Sequence, residues 1–218
     1  MAVTFDAATA PAAVTAASLT FAHTCAANAS LAVGTVCFLA TGATGVTYNG
    51  VAMTLEVLVT PAIGDTVEIW KLDAPDSGAH DVVITYATSR NIIGGAVSVV
   101  GADRTDCSLA NNSASGTSTA PTVDVTSVVG DLVVSVCFSD ADVTHAPGAN
   151  ETERWDTLGA ARASGTTESP AGTTATMSRT LGSSIEWGIV AMSFRAAAAA
   201  GGWGPLLGLR NNRLVAVP

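Results

Sequence analysis

Charge is scarce in this sequence. Asp, Glu, Lys and Arg make up 12% of its 218 residues, against about 25% in an ordinary soluble domain. Lysine is nearly missing, Lys71 standing alone, and the nine cations face eighteen carboxylates for a net charge of −9. An acidic body repels phosphodiester backbones and anionic lipid surfaces, so neither nucleic acid nor membrane is expected as a partner. Aromatic residues are only 5%, which leaves few rings on which a sugar could stack. There is no Cys-x-x-Cys, so neither a structural zinc site nor a redox pair is expected. No stretch approaches the ~18 apolar residues of a membrane span. The opening Met1-Ala2-Val3-Thr4-Phe5-Asp6 lacks a basic region and a continuous apolar run, so a secretion signal is not expected and synthesis in a cytoplasm is.

What is present is small and β-prone. The chain is 48% hydrophobic, largely Ala and Val. With so few ions, its surface must be Thr, Ser, Ala and Gly, which is cheap to desolvate and suits subunits that pack together. Segments rich in Val, Ile and Thr favour a pleated, half-buried surface. They occur at 17–23, 31–40, 45–48, 51–59, 65–72, 81–87, 92–100, 122–126, 131–138, 173–181 and 186–195. Tyr48-Asn49-Gly50-Val51 predicts a two-residue hairpin of the type that needs positive φ twice. Ile63-Gly64-Asp65 and Val129-Gly130-Asp131 read as turns that launch the next strand. Leu132, Val134, Val136 and Phe138 alternate, as do Val82, Ile84 and Tyr86, and Gly188, Val190, Met192 and Phe194. Period-two patterns of this kind bury one face against a second sheet. No helical period of any length appears. The expected fold is all-β, a two-sheet antiparallel β-sandwich with a C-terminal tail, and the number of strands suggests a jelly-roll-like order. Residues 1–14 are read as an N-terminal segment, 15–196 as the sandwich and 197–218 as the tail. Residues 140–170 read as polar loops around one short strand near Arg154-Trp155-Asp156.

Catalytic chemistry is poorly supplied, and no enzyme activity, cofactor or metal is expected. A nucleophile needs a neighbouring base, and there are three histidines, His23, His80 and His145. His23 and Cys25 share a strand face, but two half-buried residues at a strand edge explain them as well. Glu151, Glu153 and Asp156, with Asp140 and Asp142 nearby, are a carboxylate cluster of the kind glycoside hydrolysis uses, and equally a solvated acidic loop. The run Asp140–His145 offers oxygen ligands but lacks the ligand series of a calcium loop. Cys37 and Cys137 read as buried strand residues. Cys25 and Cys107 lie in loop-like sequence, and spacing leaves open whether they pair; free thiols are expected in a reducing compartment. Trp155, in the polar region, is the best candidate for a ligand platform. Gly94-Gly95 inside an apolar strand suggests a bulge or a close backbone approach.

The series Val46-Thr47-Tyr48-Asn49-Gly50-Val51-Ala52-Met53-Thr54, Glu68-Ile69-Trp70-Lys71-Leu72 and Gly94-Gly95-Ala96-Val97-Ser98-Val99-Val100-Gly101-Ala102-Asp103 resembles a loosely defined family of β-sandwich domains. These domains occur in phage structural proteins and bacterial surface proteins. Ser127-Val128-Val129-Gly130-Asp131-Leu132-Val133-Val134 and the segment from Trp187 to Phe194 continue the likeness, over about residues 15–196. The resemblance implies a jelly-roll-like sandwich and a role in virion structure or surface attachment, and it supplies no catalytic residues. With no secretion signal expected, it points to a virion subunit made in a host cytoplasm, a capsid decoration or tail-associated protein. Such a subunit would form a homo-oligomer and bind other virion proteins. A carbohydrate-binding or host-attachment module and an extracellular filament subunit are the alternatives. The tail opens with a linker-like Ala-Gly run. It carries Arg210 and Arg213 but none of the eighteen carboxylates. Trp203, Leu206, Leu207, Leu209, Arg210, Arg213, Leu214 and Val217 are therefore the candidate assembly site.

Overall fold

The computed structural model describes residues 1–38 and 42–198, and these contain strands and turns but no helix. Strands β1 (Thr4–Thr9), β2 (Val14–Cys25), β3 (Ala29–Cys37), β4 (Gly45–Tyr48), β5 (Val51–Ala52), β6 (Thr54–Val59), β7 (Thr66–Leu72) and β8 (Gly78–Val100) occupy the first half. The long β8 organises them. β1 and then β2 run antiparallel along one of its sides, and β3 and then β4 along the other. The β2 ladder breaks near residues 86–91, where Ser18 still faces Thr85 but Ala16 faces Arg90. At this break the first part of β8, with β2 and β4, turns over the second part. The approach is close: a Cβ on Gly94 would lie 2.9 Å from Ile84 Cδ1. β7 and β6 extend the sheet beyond β3. β5 returns on β4 through Asn49 and Gly50, whose φ of 49° and 75° make the predicted hairpin turn.

The second half holds β9 (Ser108–Ser118), β10 (Thr122–Thr126), β11 (Leu132–Ser139), β12 (His145–Pro147), β13 (Thr152–Leu158), β14 (Arg162–Glu168), β15 (Thr174–Leu181) and β16 (Ile185–Phe194). They form a five-stranded sheet of order β13-β14-β11-β16-β9 and a three-stranded sheet of order β10-β15-β12. Gly64 and Gly130, with φ of 89° and 103°, make the turns before β7 and β11.

The sheets stack as four layers with three cores between them. One core lies inside the turned-over first sheet and includes Leu31, Val33, Tyr48, Trp70, Val82, Ile84 and Ile92. Another lies between the five- and three-stranded sheets, around Val125, Val133, Met177, Trp187 and Ile189. The middle core joins the halves: Val36, Ile69, Ile93 and Val97 meet Val134, Val136, Phe138, Trp155, Met192 and Phe194. Burying this much apolar surface is the main driving force for folding.

The antiparallel all-β class is as expected, but the described residues form three sheets rather than two. Alternation predicted one buried face per strand. That holds for the first part of β8, where Val82, Ile84 and Tyr86 point inward and Asp81 and Thr85 are exposed. It fails for β3 and β11, which are buried at every residue because cores lie on both of their faces. Residues 1–14 do not stand outside the sheets, since β1 pairs with β8. Residues 140–170 are mostly strand rather than loop. β14 forms although its residues are small and polar, because β11 and β13 supply ladders on both of its edges.

Candidate interaction site

The two ends of the described chain meet at one end of the molecule. The Met1 ammonium donates to Ala197 O at 3.2 Å. Ala197 N donates to Gly101 O, and Asp103 N to Arg195 O, both at 2.9 Å. The buried Asp131 carboxylate locks this arrangement, accepting from Ala196 N at 2.9 Å, Val128 N at 3.0 Å and Ser193 Oγ at 3.2 Å. Three charge-assisted bonds on one buried carboxylate make a firm anchor. The exit of the C-terminal segment is thus a fixed point on the body.

Beside this exit are two adjoining hollows. One, of about 520 Å³, is lined by Gly101, Ala102, Asp103, Arg104, Ala197 and Ala198 together with Met1 and Asn28. The other, of about 410 Å³, shares Met1, Asn28 and Gly101 and adds Ala2, Ala27 and Val100. Met1 is 79% exposed. Val129, 75% exposed, is next to Gly130, whose carbonyl accepts from Val3 N. Exposed apolar groups gathered in one place mark surfaces that contact something. All eighteen carboxylates and seven cations, the nine less Arg210 and Arg213, precede the tail. The tail residues named above as the candidate assembly site lie outside the described residues.

Of the other candidate residues, Trp155 and the Glu151 side chain are enclosed, whereas Asp140, Asp142 and Glu153 are exposed. Trp155 is 3% exposed, so it offers no face to a ligand and the expectation of a platform is corrected. Its indole lies where a Cβ on Gly34, Gly95 or Gly165 would be, at 3.1, 2.4 and 2.1 Å. That is the close approach the Gly94-Gly95 pair suggested. Glu151 is not part of a solvated loop. It and Arg179 both have fully buried side chains and form an ion pair at 2.6 Å. Arg179 also donates to Ser164 Oγ at 3.2 Å and Ser135 Oγ at 3.1 Å. Ser135 and Thr166 hydroxyls share a bond at 2.9 Å. Thr166 donates to Glu151 Oε2, which closes a ring. Ser139 spends its proton on Ala141 O, so His145 must donate to it from Nε2 at 2.7 Å and accept from Ser164 at Nδ1. This is the neutral imidazole. Burial and the Arg179 charge hold the His145 pKa down to about 3.

His23 and the cysteines are packed away too, whereas His80 is half-buried and its Nε2 lies 3.2 Å from Ser77 O. His23 is buried against Thr9, sharing a 2.8 Å bond, and burial lowers its pKa to about 4. Its neighbour Cys25 is a thiol raised by burial. All four cysteines are free and buried. Cys25 belongs to the first core and Cys107 to the middle one. Burial pushes the Cys37 and Cys137 thiols up to about 12, so neither is an available nucleophile. Asp156 and Asp142 flank Arg162 at 3.2 and 3.8 Å. Among the described residues no group of three or more His, Cys, Asp or Glu is placed to hold a metal ion.

Fold and site together define a class, an all-β protein of stacked antiparallel sheets with an anchored exit for its C-terminal segment. No protein-family model, curated protein or solved structure matches the chain.

Proposed function

We propose that the chain is a non-enzymatic structural subunit of a phage virion, a capsid decoration or tail-associated protein. It assembles with copies of itself and with other virion proteins through its low-charge surface and a C-terminal arm. The observation that carries this reading is the anchored exit at Ala197, beside hollows and exposed Met1 and Val129. An arm leaving a fixed point delivers its apolar and basic residues at a defined place on an acidic neighbour. Trp203, Leu206, Leu207, Leu209, Arg210, Arg213, Leu214 and Val217 are its contact residues. Many weak contacts repeated over a lattice give avidity that no single one has. A β-sandwich with a jelly-roll-like strand order belongs to the same proposal. Synthesis in the host cytoplasm precedes incorporation into the virion. A sugar-binding role would need an exposed ring, and Trp155 is enclosed.

The test is light scattering and negative-stain microscopy of the full chain and of a chain ending at Ala200, with circular dichroism to check that both fold. The full chain is expected to form defined oligomers and the shortened one a folded monomer. Two monomers of equal stability would overturn the role of the arm.

A further inference from the structure

One core between two layers is the ordinary content of a domain. Four layers and three cores are what two such domains make when packed back to back. Strand order supports this division. Around the second part of β8, the first half has the order β6-β7-β3-β8-β1, and the second half has β13-β14-β11-β16-β9. The covering layers are β2-β8-β4 and β10-β15-β12. Taken in chain order, β1, β2, β3, β4, β6 and β7 correspond to β9 through β14. The two parts of β8 correspond to β15 and β16.

Register and residues agree as well. Cys37 faces Ile92 on one side and Thr66 on the other, while Cys137 faces Ile189 and Ser164. Val33, Thr35, Val36, Cys37 and Phe38 match Val133, Ser135, Val136, Cys137 and Phe138. Their directions match too. Val33 and Cys37 point into the first half's own core, and Val133 and Cys137 into the second's. Val36 and Val136 both face the middle. The Thr35 hydroxyl bonds Tyr86 of its covering strand, and the Ser135 hydroxyl bonds Arg179 of its own. Register shifts interrupt corresponding ladders, β1 with β8 and β9 with β16, then β6 with β7 and β13 with β14.

We propose that residues 1–100 and 107–196 are two copies of one eight-strand unit, and that the face between them is an interface at which the partner of each unit is another unit of its kind. The contact has the form of a two-fold one, in which equivalent parts meet. Phe38 meets its counterpart Phe138 edge to face at 5.7 Å. The segments that follow β8 and β16 pair antiparallel with each other at Ala102 and Ala196. The units have also specialised. Trp155 of the second fits over Gly34 and Gly95 of the first. Two first units would leave that space empty, and two second units would set each indole against Val134 and Met192, which stand where Gly34 and Gly95 do. The first unit therefore prefers the second to itself. This inference does not depend on the assembly role proposed above.

The test is a protease site inserted in the full chain between Arg104 and Thr105. After cleavage, the halves are expected to stay together as a 1:1 complex with unchanged circular dichroism. Separated in denaturant and refolded apart, they should recombine with each other more tightly than either binds itself. Trp155→Ala should weaken that recombination at least about tenfold. Folded halves that ignore each other would overturn the proposal. Should the halves not refold apart, native-state hydrogen exchange on the intact chain decides. Two opening units divided at 101–107 support the proposal, and one cooperative opening across both halves refutes it.

Discussion

Replacing Arg179 with Ala removes the one cation from a fully enclosed carboxylate. Glu151 would keep Ser178 N at 2.6 Å and the Thr166 hydroxyl, but its charge would lie unpaired under the three-stranded sheet. Ser135 and Ser164 would each lose a donor. Removing one partner of a buried pair costs about 3–5 kcal/mol, most of it the desolvated charge left behind. With a urea m-value of roughly 2 kcal/mol/M, the midpoint should fall by about 2 M. The double variant Glu151→Gln with Arg179→Met removes both charges and keeps the volume, so it should lose clearly less than Arg179→Ala alone. Urea titration followed by circular dichroism and by tryptophan fluorescence reads both variants. A loss under about 1 kcal/mol for Arg179→Ala would refute the reasoning, because exposed pairs are worth that little. So would a double variant that is the worse of the two.

Two further perturbations test the packing and the protonation states. Trp155→Ala should cost about 3–5 kcal/mol for the cavity it opens between the halves. Gly95→Ala should cost about 1–3 kcal/mol, since its new Cβ would sit 2.4 Å from the indole; Gly172→Ala, which meets nothing within 4 Å, serves as the neutral control in the same thermal melts. Acidification should destabilise the fold through its buried histidines. Their folded pKa values, about 4 for His23 and about 3 for His145, lie below the ordinary 6.5. The unfolded chain therefore takes up protons first, and stability present above about pH 6.5 is lost as the pH falls towards those values. Glu68, raised by burial, opposes this at the acid end. His23→Gln should flatten the fall in melting temperature between pH 7 and pH 4.5, and an unchanged slope would show that His23 binds protons alike in the folded and the unfolded chain.

Alternation in the sequence reveals which way a strand faces where one of its faces meets solvent. β2 alternates cleanly from Leu19 to Cys25 because its outer face carries Thr20, Ala22 and Thr24. Where both faces are buried, as in β3 and β11, alternation says nothing about what lies on the second face. Two of the cores were therefore illegible, and the chain read as one sandwich. β9 was missed for another reason. Its Ser, Asn, Ala and Gly carry no β propensity, and it forms because β16 presents a free ladder along its length. Propensity yields to tertiary pairing at such an edge.

Function was harder to read because chemistry-bearing residues were turned inward. Glu151 and Trp155 sit among Gly, Thr and charged neighbours, a composition that reads as exposed loop, and only the fold shows what encloses them. Arg179 did carry a signal. Ala175, Met177, Arg179 and Leu181 are the inward row of β15, and a lone Arg in an apolar row requires a buried anion, since unpaired charge is rarely tolerated inside. Distance along the chain does not single out Glu151 as that anion, since Glu168 and Glu186 both lie nearer to Arg179. The repeat at 33–38 and 133–138 was also open to a direct comparison of the chain with itself. Elsewhere each core is filled differently, with Tyr86 in one and Arg179 in the other answering the same hydroxyl position.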